Sequence, residues 1–444
     1  MTHLPSRSRR RLTAAAAAIT ALGLTAACST TSTSTGGATG GANSGGLTYW
    51  SMWKDGEPQQ KVLAADIASF TAQTGIKINV QWQGRDVLKK LLPTLQGSDV
   101  PDLVDQEAGP VQSSLVSLDA ARDLKDAYAE PIPGEPNATI GSVIPQRYRP
   151  LMTSGSTLFM VPYELISSAF WFNATDLPDV AKTPPNTWDD FTALLAKRKA
   201  AGKSPLGLDG DISFYNSYYT VYALLRELGN GNVNKLVADR SGATWDNPKV
   251  LDAAKKIESL VKAKYFIPGY DGSKYPAIEQ KWATGAADLY YAGTWTPSET
   301  APYQGPGFKV ESFQFPSMGG PGDGSVETGM LGFAVPAKAK NYDQAKKFMA
   351  FVLAKTNLTG ISTTADNLTP RDDIPGPASL TSVQQALKVA TAVHRPYDGI
   401  DADFANYTTT VYEPVNDQLI FGKIDAATWV AQLKEKTIAY WKQK

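Results

Sequence analysis

The chain has 444 residues, and its 43 lysine and arginine residues are balanced by 43 aspartate and glutamate residues. This balance, without a basic stripe, argues against a nucleic-acid-binding protein. One cysteine and two histidines are too few for a disulfide framework, a His-rich metal site or nucleophile–histidine catalysis. The glycine motifs that cradle ATP or dinucleotide phosphates do not occur either. We therefore expect no metal and no other cofactor.

The first 27 residues are typical of an export signal. Arginines at positions 7 and 9–11 precede an apolar run, Leu12–Ala27, which is too short and too rich in alanine for a membrane span. The segment Ser8–Leu12 also resembles a twin-arginine signal, and both that route and the general export route stay open.

Cys28 directly follows this apolar run. The segment Leu24–Cys28 resembles the bacterial lipobox, in which small residues precede a cysteine that becomes lipidated, although Thr25 stands where leucine is usual. Residues 29–46 are almost wholly serine, threonine, glycine, alanine and asparagine, a composition typical of a flexible linker. We predict a signal peptide at 1–27 and a lipid-anchored linker at 28–46, holding the protein on the outer face of the cell membrane. The alternative is that Cys28 is an incidental small residue near a cleavage site.

From Leu47 onward the pattern predicts an α/β fold. Strands at 47–53, 76–82 and 102–106 alternate with helices at 58–73 and 86–96, the second of which should bend at Pro93. Such alternation requires parallel crossovers and predicts a doubly wound sheet.

A second α/β pattern follows in the middle of the chain. Its strands are predicted at 157–163, 169–173, 205–208 and 286–293, and its helices after Thr187 and at 216–228 and 248–262. A strand at 332–335, a helix at 341–354 and a mostly helical end complete the chain. The length indicates two domains.

Nine ordered segments carry a resemblance to a known family. They are Thr48–Trp53 with Gly56–Glu57, Phe70–Ile78, Pro101–Asp105, Val161–Glu164, Trp171–Asn173, Pro185–Phe191, Gly285–Asp288 with Gly293–Trp295, Ala345–Phe348 and Leu368–Arg371. In their order and spacing the chain resembles the extracellular solute-binding proteins that include the maltose-binding protein, here as a sugar-binding lipoprotein of an actinobacterial-type Gram-positive bacterium.

The resemblance implies a two-lobed periplasmic-binding-protein fold of type II, in which two doubly wound sheets are joined by a hinge. It places lobe one at 47–162 plus 326–375, and lobe two at 163–325 plus 376–444. It further implies that the monomeric protein closes on a sugar and docks on a membrane permease driven by a separate ATPase.

Candidate ligand-binding residues follow the predicted strands, because ligands of open α/β sheets bind beyond the carboxyl ends of strands. Tryptophans can stack on the CH face of a sugar, while carboxylates and amides bind its hydroxyls. The candidates are Trp53, Asp55, Glu57, Gln106, Glu164, Tyr218, Trp295, Arg371 and Tyr407.

Each candidate has a structural alternative. The two tryptophans could close the core, and Asp55 and Glu57 could complement the N-terminus of the following helix. Glu164 could form a structural hydrogen bond, and Arg371 a lobe–lobe salt bridge. Tyr407 is implied only by its position in the family.

We predict the carbohydrate-binding component of an ABC import system for a di- or oligosaccharide, and no enzymatic activity. One alternative is a glycoside hydrolase, which also combines paired carboxylates with aromatic residues. Another is a binding protein for an amino acid, whose carboxylate Arg371 could hold. Which sugar binds stays open at this point.

Overall fold

A computed structural model describes residues 46–444, and the predicted export signal, Cys28 and nearly all of the linker lie outside them. The strands form two principal sheets and two short two-stranded ones. They are β1 (Leu47–Ser51), β2 (Ile78–Trp82), β3 (Leu103–Glu107), β4 (Thr153–Ser154), β5 (Thr157–Leu158), β6 (Val161–Ile166), β7 (Ser168–Asn173), β8 (Leu206–Gly207), β9 (Leu289–Gly293), β10 (Val310–Phe313), β11 (Ser325–Glu327), β12 (Gly329–Ala334) and β13 (Ala392–His394).

Helices cover both faces of the principal sheets. They are α1 (Pro58–Thr74), α2 (Val87–Leu91), α3 (Ala108–Ser114), α4 (Ile140–Val143), α5 (Pro178–Lys182), α6 (Trp188–Ala200), α7 (Ser213–Leu228), α8 (Asn232–Ala238), α9 (Pro248–Lys262), α10 (Ala277–Ala283), α11 (Thr296–Thr300), α12 (Tyr342–Leu353), α13 (Lys355–Thr363), α14 (Thr381–Val389), α15 (Ile400–Asp403), α16 (Ala405–Tyr407), α17 (Glu413–Ile420) and α18 (Ala426–Lys442). Within residues 46–444, none of them combines the length and the apolar character needed to cross a membrane.

The first principal sheet has the strand order β2-β1-β3-β12-β6. Its first three strands are parallel, and β12 runs antiparallel to both β3 and β6. Tyr49 on β1 packs against Phe333 and Phe348, which ties the sheet to α12. Pro58 begins α1, and Gly75 ends it in the left-handed conformation that glycine adopts without strain. We call the half built on this sheet the first lobe.

The second principal sheet has the order β10-β7-β9-β8 and forms the second lobe. Phe170 on β7 contacts Phe191 of α6 and Phe313 of β10 in an aromatic core. Helix α7 is buried on every side from Tyr215 to Glu227, so this lobe is organised around one central helix.

Two buried positions connect the sheets. Ser167 lies between β6 of the first sheet and β7 of the second, and Thr328 lies between β12 of the first sheet and β11, which pairs with β13 in a separate two-stranded sheet. Each is 1% exposed. Because the chain crosses here without a loop, these segments hold the lobes at their common base.

The predicted α/β organisation is confirmed, and most predicted elements lie within a few residues of their predicted ends. The predicted helix at 86–96 is interrupted near Pro93, as expected. Helix α2 ends at Leu91, and Leu92–Gln96 continue as a 3-10 helix. Helix α13 was not predicted, since its glycine and threonines are poor helix formers. Burial of Leu358 and Ile361 stabilises it instead.

Asp66 on α1 is expected to limit stability at alkaline pH. Its side chain is 6% exposed, and Oδ2 has no hydrogen-bond partner within residues 46–444. Burial raises the pKa of this carboxyl from 3.8 to about 7. Because the pKa is higher in the folded protein, the contribution of Asp66 to stability is complete below about pH 4 and is lost as the pH rises through 7.

We therefore expect Asp66→Asn to raise the free energy of unfolding at pH 8 by about 2–4 kcal/mol, with little change near pH 4. Urea unfolding at both pH values measures this difference. Asp99→Asn, at an exposed loop position, is the matched control and should change neither value. An equal gain at both pH values would contradict the role given to the buried charge.

Candidate ligand-binding crevice

The first lobe contributes a wall built from residues that follow β1 and β2. Trp53 is 5% exposed, and its Nε1 donates a hydrogen bond to the hydroxyl of Tyr163 at 2.8 Å. The Arg85 guanidinium lies over the indole, 4.5 Å from the ring centroid, a cation–π contact. Arg85 also donates to both carboxylate oxygens of Glu57 at 3.0 Å. Arg85 is therefore the exposed side chain of this wall, and the Trp53 indole packs beneath its guanidinium.

Glu164 on β6 lies near the point where the chain crosses between the lobes. It is 1% exposed, and Oε1 accepts hydrogen bonds from Asn367 at 2.6 Å and from Gln59 at 3.2 Å. Oε2 has no partner in the described chain, residues 46–444. Burial raises the pKa of this carboxyl to about 7. One of its oxygens is therefore held in place while the other is available to a ligand.

The second lobe contributes a wall of aromatic rings at the end of β9. Trp295 is half-buried and donates from Nε1 to the Tyr215 hydroxyl at 3.2 Å. The two rings are stacked with centroids 6.4 Å apart and planes inclined by 21°. A Cβ at Gly293 would overlap the indole ring of Trp295, so a glycine is required two residues before this tryptophan.

Arg85 of the first wall lies within electrostatic range of Glu299 of the second wall. Tyr275 donates a hydrogen bond to Glu299 Oε2 at 2.5 Å. Burial raises the pKa of Glu299, whereas the bond from Tyr275 and the charge of Arg85 act in the opposite direction. Arg85 follows β2 of the first lobe and Glu299 lies on α11 of the second. The space between these walls, with Ser167 at its base, is called here the inter-lobe crevice.

Of the fourteen buried side-chain oxygens that lack a partner within residues 46–444, seven belong to residues on the segments around the crevice and the crossing. They are Oε2 of Glu164, Oγ of Ser167, Oε1 of Glu279, Oγ1 of Thr294, Oγ1 of Thr296, Oε2 of Glu327 and Oγ1 of Thr328. Leaving such a group unpaired costs about 1–3 kcal/mol, and native proteins rarely retain several together. The set suits a ligand that carries several hydroxyl or amino groups.

Metal chemistry finds no support here: within the described residues no three histidine, cysteine, aspartate or glutamate side chains are grouped to hold a metal ion. Burial raises the pKa of carboxyl groups in the crevice. Glu279 reaches a pKa of about 8, with repulsion from Glu299 and Asp209 adding to the effect of burial.

The model of the bacterial extracellular solute-binding protein family matches residues 65–391, most of the chain. This chain belongs to the bacterial extracellular solute-binding proteins. It is a binding protein and not an enzyme. The glycoside hydrolase alternative is therefore set aside.

Relatives with assigned names match only part of the chain. The diacetylchitobiose binding protein NgcE of Streptomyces coelicolor is 25% identical over 227 residues, 51% of this chain and 47% of the relative. The multiple sugar-binding protein of Streptococcus mutans is 24% identical over 204 residues, 44% of this chain and 47% of the relative. The chain thus spans about half the length of these curated relatives.

Solved structures match nearly the whole length of this chain. A chitin oligosaccharide binding protein gives a TM-score of 0.72 at 18% identity, covering 88% of this chain and 98% of that one. Apo RafE from Streptococcus pneumoniae gives 0.74 at 14% identity, covering 90% and 99%. At these identities the likeness shows the fold, which is the predicted periplasmic-binding-protein type.

Five of the candidate residues lie together along the crevice or directly behind its walls: Trp53, Glu57, Gln106, Glu164 and Trp295. Gln106 is 7% exposed; its Nε2 donates to the Arg85 carbonyl at 3.3 Å and its Oε1 accepts from the Glu107 backbone at 2.9 Å. It therefore supports the wall from behind. Asp55 is exposed near the same wall.

Tyr218 supports the aromatic wall without facing the crevice. It is 1% exposed and stacks behind Tyr215 with ring centroids 6.1 Å apart and planes inclined by 17°. Helix α7 is buried on every side at this position. A ligand would meet Tyr218 only through the rings in front of it.

Arg371 and Tyr407 are not brought together with the other candidates. Arg371 is 4% exposed, and its five donors are used on the carboxylates of Glu135 and Asp373 and the Leu353 carbonyl. Tyr407 is 0% exposed, and its hydroxyl is bonded to Thr437 at 2.5 Å within the helical core. Arg371 therefore has no donor left for a ligand carboxylate, and its ion pairs lie within one lobe rather than between lobes.

Several crevice residues were not predicted from the sequence. They include Arg85, Tyr275 and Glu299, whose contacts form the two walls. Thr294 and Thr296 flank Trp295 in the sequence and could have been found from that spacing. No local pattern marks Arg85 or Glu299, because each acquires its role from residues distant in sequence, Arg85 from Glu57 and Glu299 from Tyr275.

Proposed function

We propose that this protein captures a di- or oligosaccharide in the inter-lobe crevice and delivers it to the membrane permease of an ABC importer. The observation that carries the proposal is the set of unpaired buried oxygens at the base of the crevice beside the half-buried indole of Trp295. A sugar offers hydroxyls to such oxygens and an apolar CH face to such a ring. The names of the relatives, which refer to sugars, support the same class of ligand.

Hinge closure gives the binding its mechanism. The sugar would first contact one wall, and closure would add the groups of the other, such as Arg85 opposite Glu299. A ligand shifts the open–closed equilibrium only by its difference in affinity for the two forms. Contacts from both lobes provide that difference. The closed form is the state expected to dock on the permease, which a separate ATPase drives.

Retention at the outer face of the membrane fits this function. We infer that Cys28 carries the lipid anchor and that residues 29–46 are the tether. A flexible chain of this length has a reach of roughly 20–25 Å, enough for the lobes to capture solute and still reach a permease.

A thermal-shift panel of mono-, di- and oligosaccharides, with amino acids as controls, tests the ligand class. A sugar at 100 times its dissociation constant should add about 2.7 kcal/mol of stability and raise the melting temperature by about 3 °C. A shift with an amino acid and with no sugar would overturn the proposal.

A further inference from the structure

Three carboxyl groups lie around one cavity beside the crossing segments at the base of the crevice, called here its inner end: Glu107 and Asp401 line this cavity, and Glu327 directly precedes the lining residue Thr328. Glu107 ends β3 of the first lobe, Glu327 ends β11 at the crossing, and Asp401 lies on α15. A Cβ at Gly109 would lie 3.3 Å from Asp401 Oδ2, which shows how closely α3 and α15 approach. Glu327 is 4% exposed, whereas Glu107 and Asp401 are half-buried. The group therefore extends from a buried base towards solvent.

A cavity lies at this place, and a buried hydroxyl belongs to its lining. Glu107, Asp401 and Thr328 line the cavity together with Arg395. Thr328 is 1% exposed, and its Oγ1 has no partner among residues 46–444. Oε2 of Glu327 likewise has none in that part of the chain. One carboxyl oxygen of the group and the neighbouring Thr328 hydroxyl are therefore both buried without a partner, and they point to a ligand with hydrogen-bond donors.

The cation that lines this cavity is already paired elsewhere. Arg395 Nη2 lies 2.6 Å from Asp403 Oδ2, and Nη1 donates to Asp403 Oδ1 at 3.1 Å and to Gln112 Oε1 at 3.0 Å. Burial raises the pKa of Asp401 to about 6, and the charge of Arg395 acts in the opposite direction. No lysine or arginine of residues 46–444 forms an ion pair with any of the three carboxyl groups, which stay in excess over the cations around them.

We propose that this inner end binds a protonated amino group, so that the ligand is a sugar with a free amine rather than a wholly neutral one. The proposal rests on the assignment of a sugar ligand made above. An ammonium carries three donors and no acceptor, and a carboxylate only accepts. Hydrogen bonds between them are charge-assisted and about twice as strong as neutral ones.

The electrostatics of the empty group agree with this inference. Burial and repulsion from Asp401 raise the pKa of Glu107 to about 7. Burial raises the pKa of Glu327 well above its ordinary value, and the charges of Glu107 and Asp401 add to this. An ammonium placed among them would favour their charged forms.

Three disaccharides that differ only at C2 test the proposal: the β-1,4-linked dimers of glucosamine, N-acetylglucosamine and glucose. Calorimetric titration is carried out on the mature protein, at a pH where the free amine is protonated. The glucosamine dimer should bind at least tenfold more tightly than either neutral dimer. Glu107→Gln and Asp401→Asn should each remove most of that preference and change the affinity for the neutral dimers less than twofold. Glu435→Gln, exposed on α18, is the matched control and should keep the preference.

The outcomes separate this inference from the function on which it rests. Equal or tighter binding of a neutral dimer would overturn the amine assignment and leave the sugar-binding function standing. Loss of affinity for all three dimers in Glu107→Gln would also overturn it, since that residue would then contact a shared hydroxyl. Failure of every dimer to bind would overturn the amine-bearing sugar, and failure of the whole thermal-shift panel would overturn sugar binding itself.

Discussion

Replacing Asp105 by alanine should destabilise the protein by about 3–5 kcal/mol, the largest stability effect expected from a single carboxylate here. Asp105 on β3 is 0% exposed. It accepts hydrogen bonds from the hydroxyls of Tyr49 at 2.5 Å and Tyr163 at 2.8 Å, from Ser51 Oγ at 3.0 Å and from the Met52 backbone at 2.6 Å. Alanine would leave four buried donors without an acceptor.

The same substitution should reach the crevice. Tyr163 accepts the hydrogen bond of Trp53 Nε1 at 2.8 Å, and Trp53 in turn supports Arg85 at 4.5 Å. Loss of Asp105 therefore frees the residue that positions the first wall. Ligand affinity should fall in Asp105→Ala even under conditions where most molecules are folded.

Urea unfolding followed by circular dichroism measures the stability change. Asp105→Asn is the informative second variant, because an amide keeps the shape and one acceptor and should lose less than the alanine variant. Asp99→Ala, at an exposed position, is expected to change the free energy of unfolding by less than about 0.5 kcal/mol. A loss below about 1 kcal/mol in Asp105→Ala would show that Asp105 is not the centre of this network.

The sequence predicted the first sheet well because local chemistry decides it. Pro58 and Gly75 begin and end α1 by their own backbone preferences, and the apolar residues Leu47 and Tyr49 alternate along β1 with half-buried ones. The same holds in the second lobe, where the Asn247 side chain accepts from the Lys249 backbone at 3.0 Å at the start of α9, as an N-cap residue should. These preferences depend on only a few neighbouring residues, so the sequence predicts them correctly.

The site was only partly predictable because its contacts join distant parts of the chain. Arg371 has the composition of a ligand-binding arginine, yet its donors are taken by Glu135, 236 residues away, and by Asp373. Glu164 was found because it follows a recognisable segment. Glu327 was missed, since nothing in its sequence neighbourhood shows that two other carboxyl groups approach it from different elements.

The two candidate tryptophans show the same limit of prediction from sequence. Trp53 and Trp295 both follow strands and were equivalent by pattern. In the structure Trp53 is 5% exposed, with its ring beneath Arg85, while Trp295 is half-buried at the crevice. A pattern gives the distance of a residue from a strand end, but not which side chain from elsewhere covers it.

Trp295→Ala should weaken sugar binding by about 100-fold, which is the effect typical of truncating a central aromatic residue. The loss follows from removing the ring on which a sugar would stack. The fold should persist with a loss of under about 2 kcal/mol, because a half-buried ring contributes less than a fully buried one, whose removal costs about 3–5 kcal/mol. The partner Tyr215 would lose its hydrogen bond from Nε1, at 3.2 Å, but would stay on the buried face of α7.

Calorimetric titration with a sugar found by the thermal-shift panel measures the affinity, and thermal unfolding without ligand measures the stability. Trp295→Phe should recover part of the affinity, since a phenyl ring keeps a stacking face without the Nε1 donor. The matched control is Trp441→Ala on α18, a half-buried tryptophan whose Nε1 donates to the Val237 carbonyl at 2.7 Å in the second lobe. It should lose stability and keep its affinity. If Trp295→Ala instead behaved like Trp441→Ala, the indole would be a packing residue, and the sugar would have to bind through the polar base of the crevice alone.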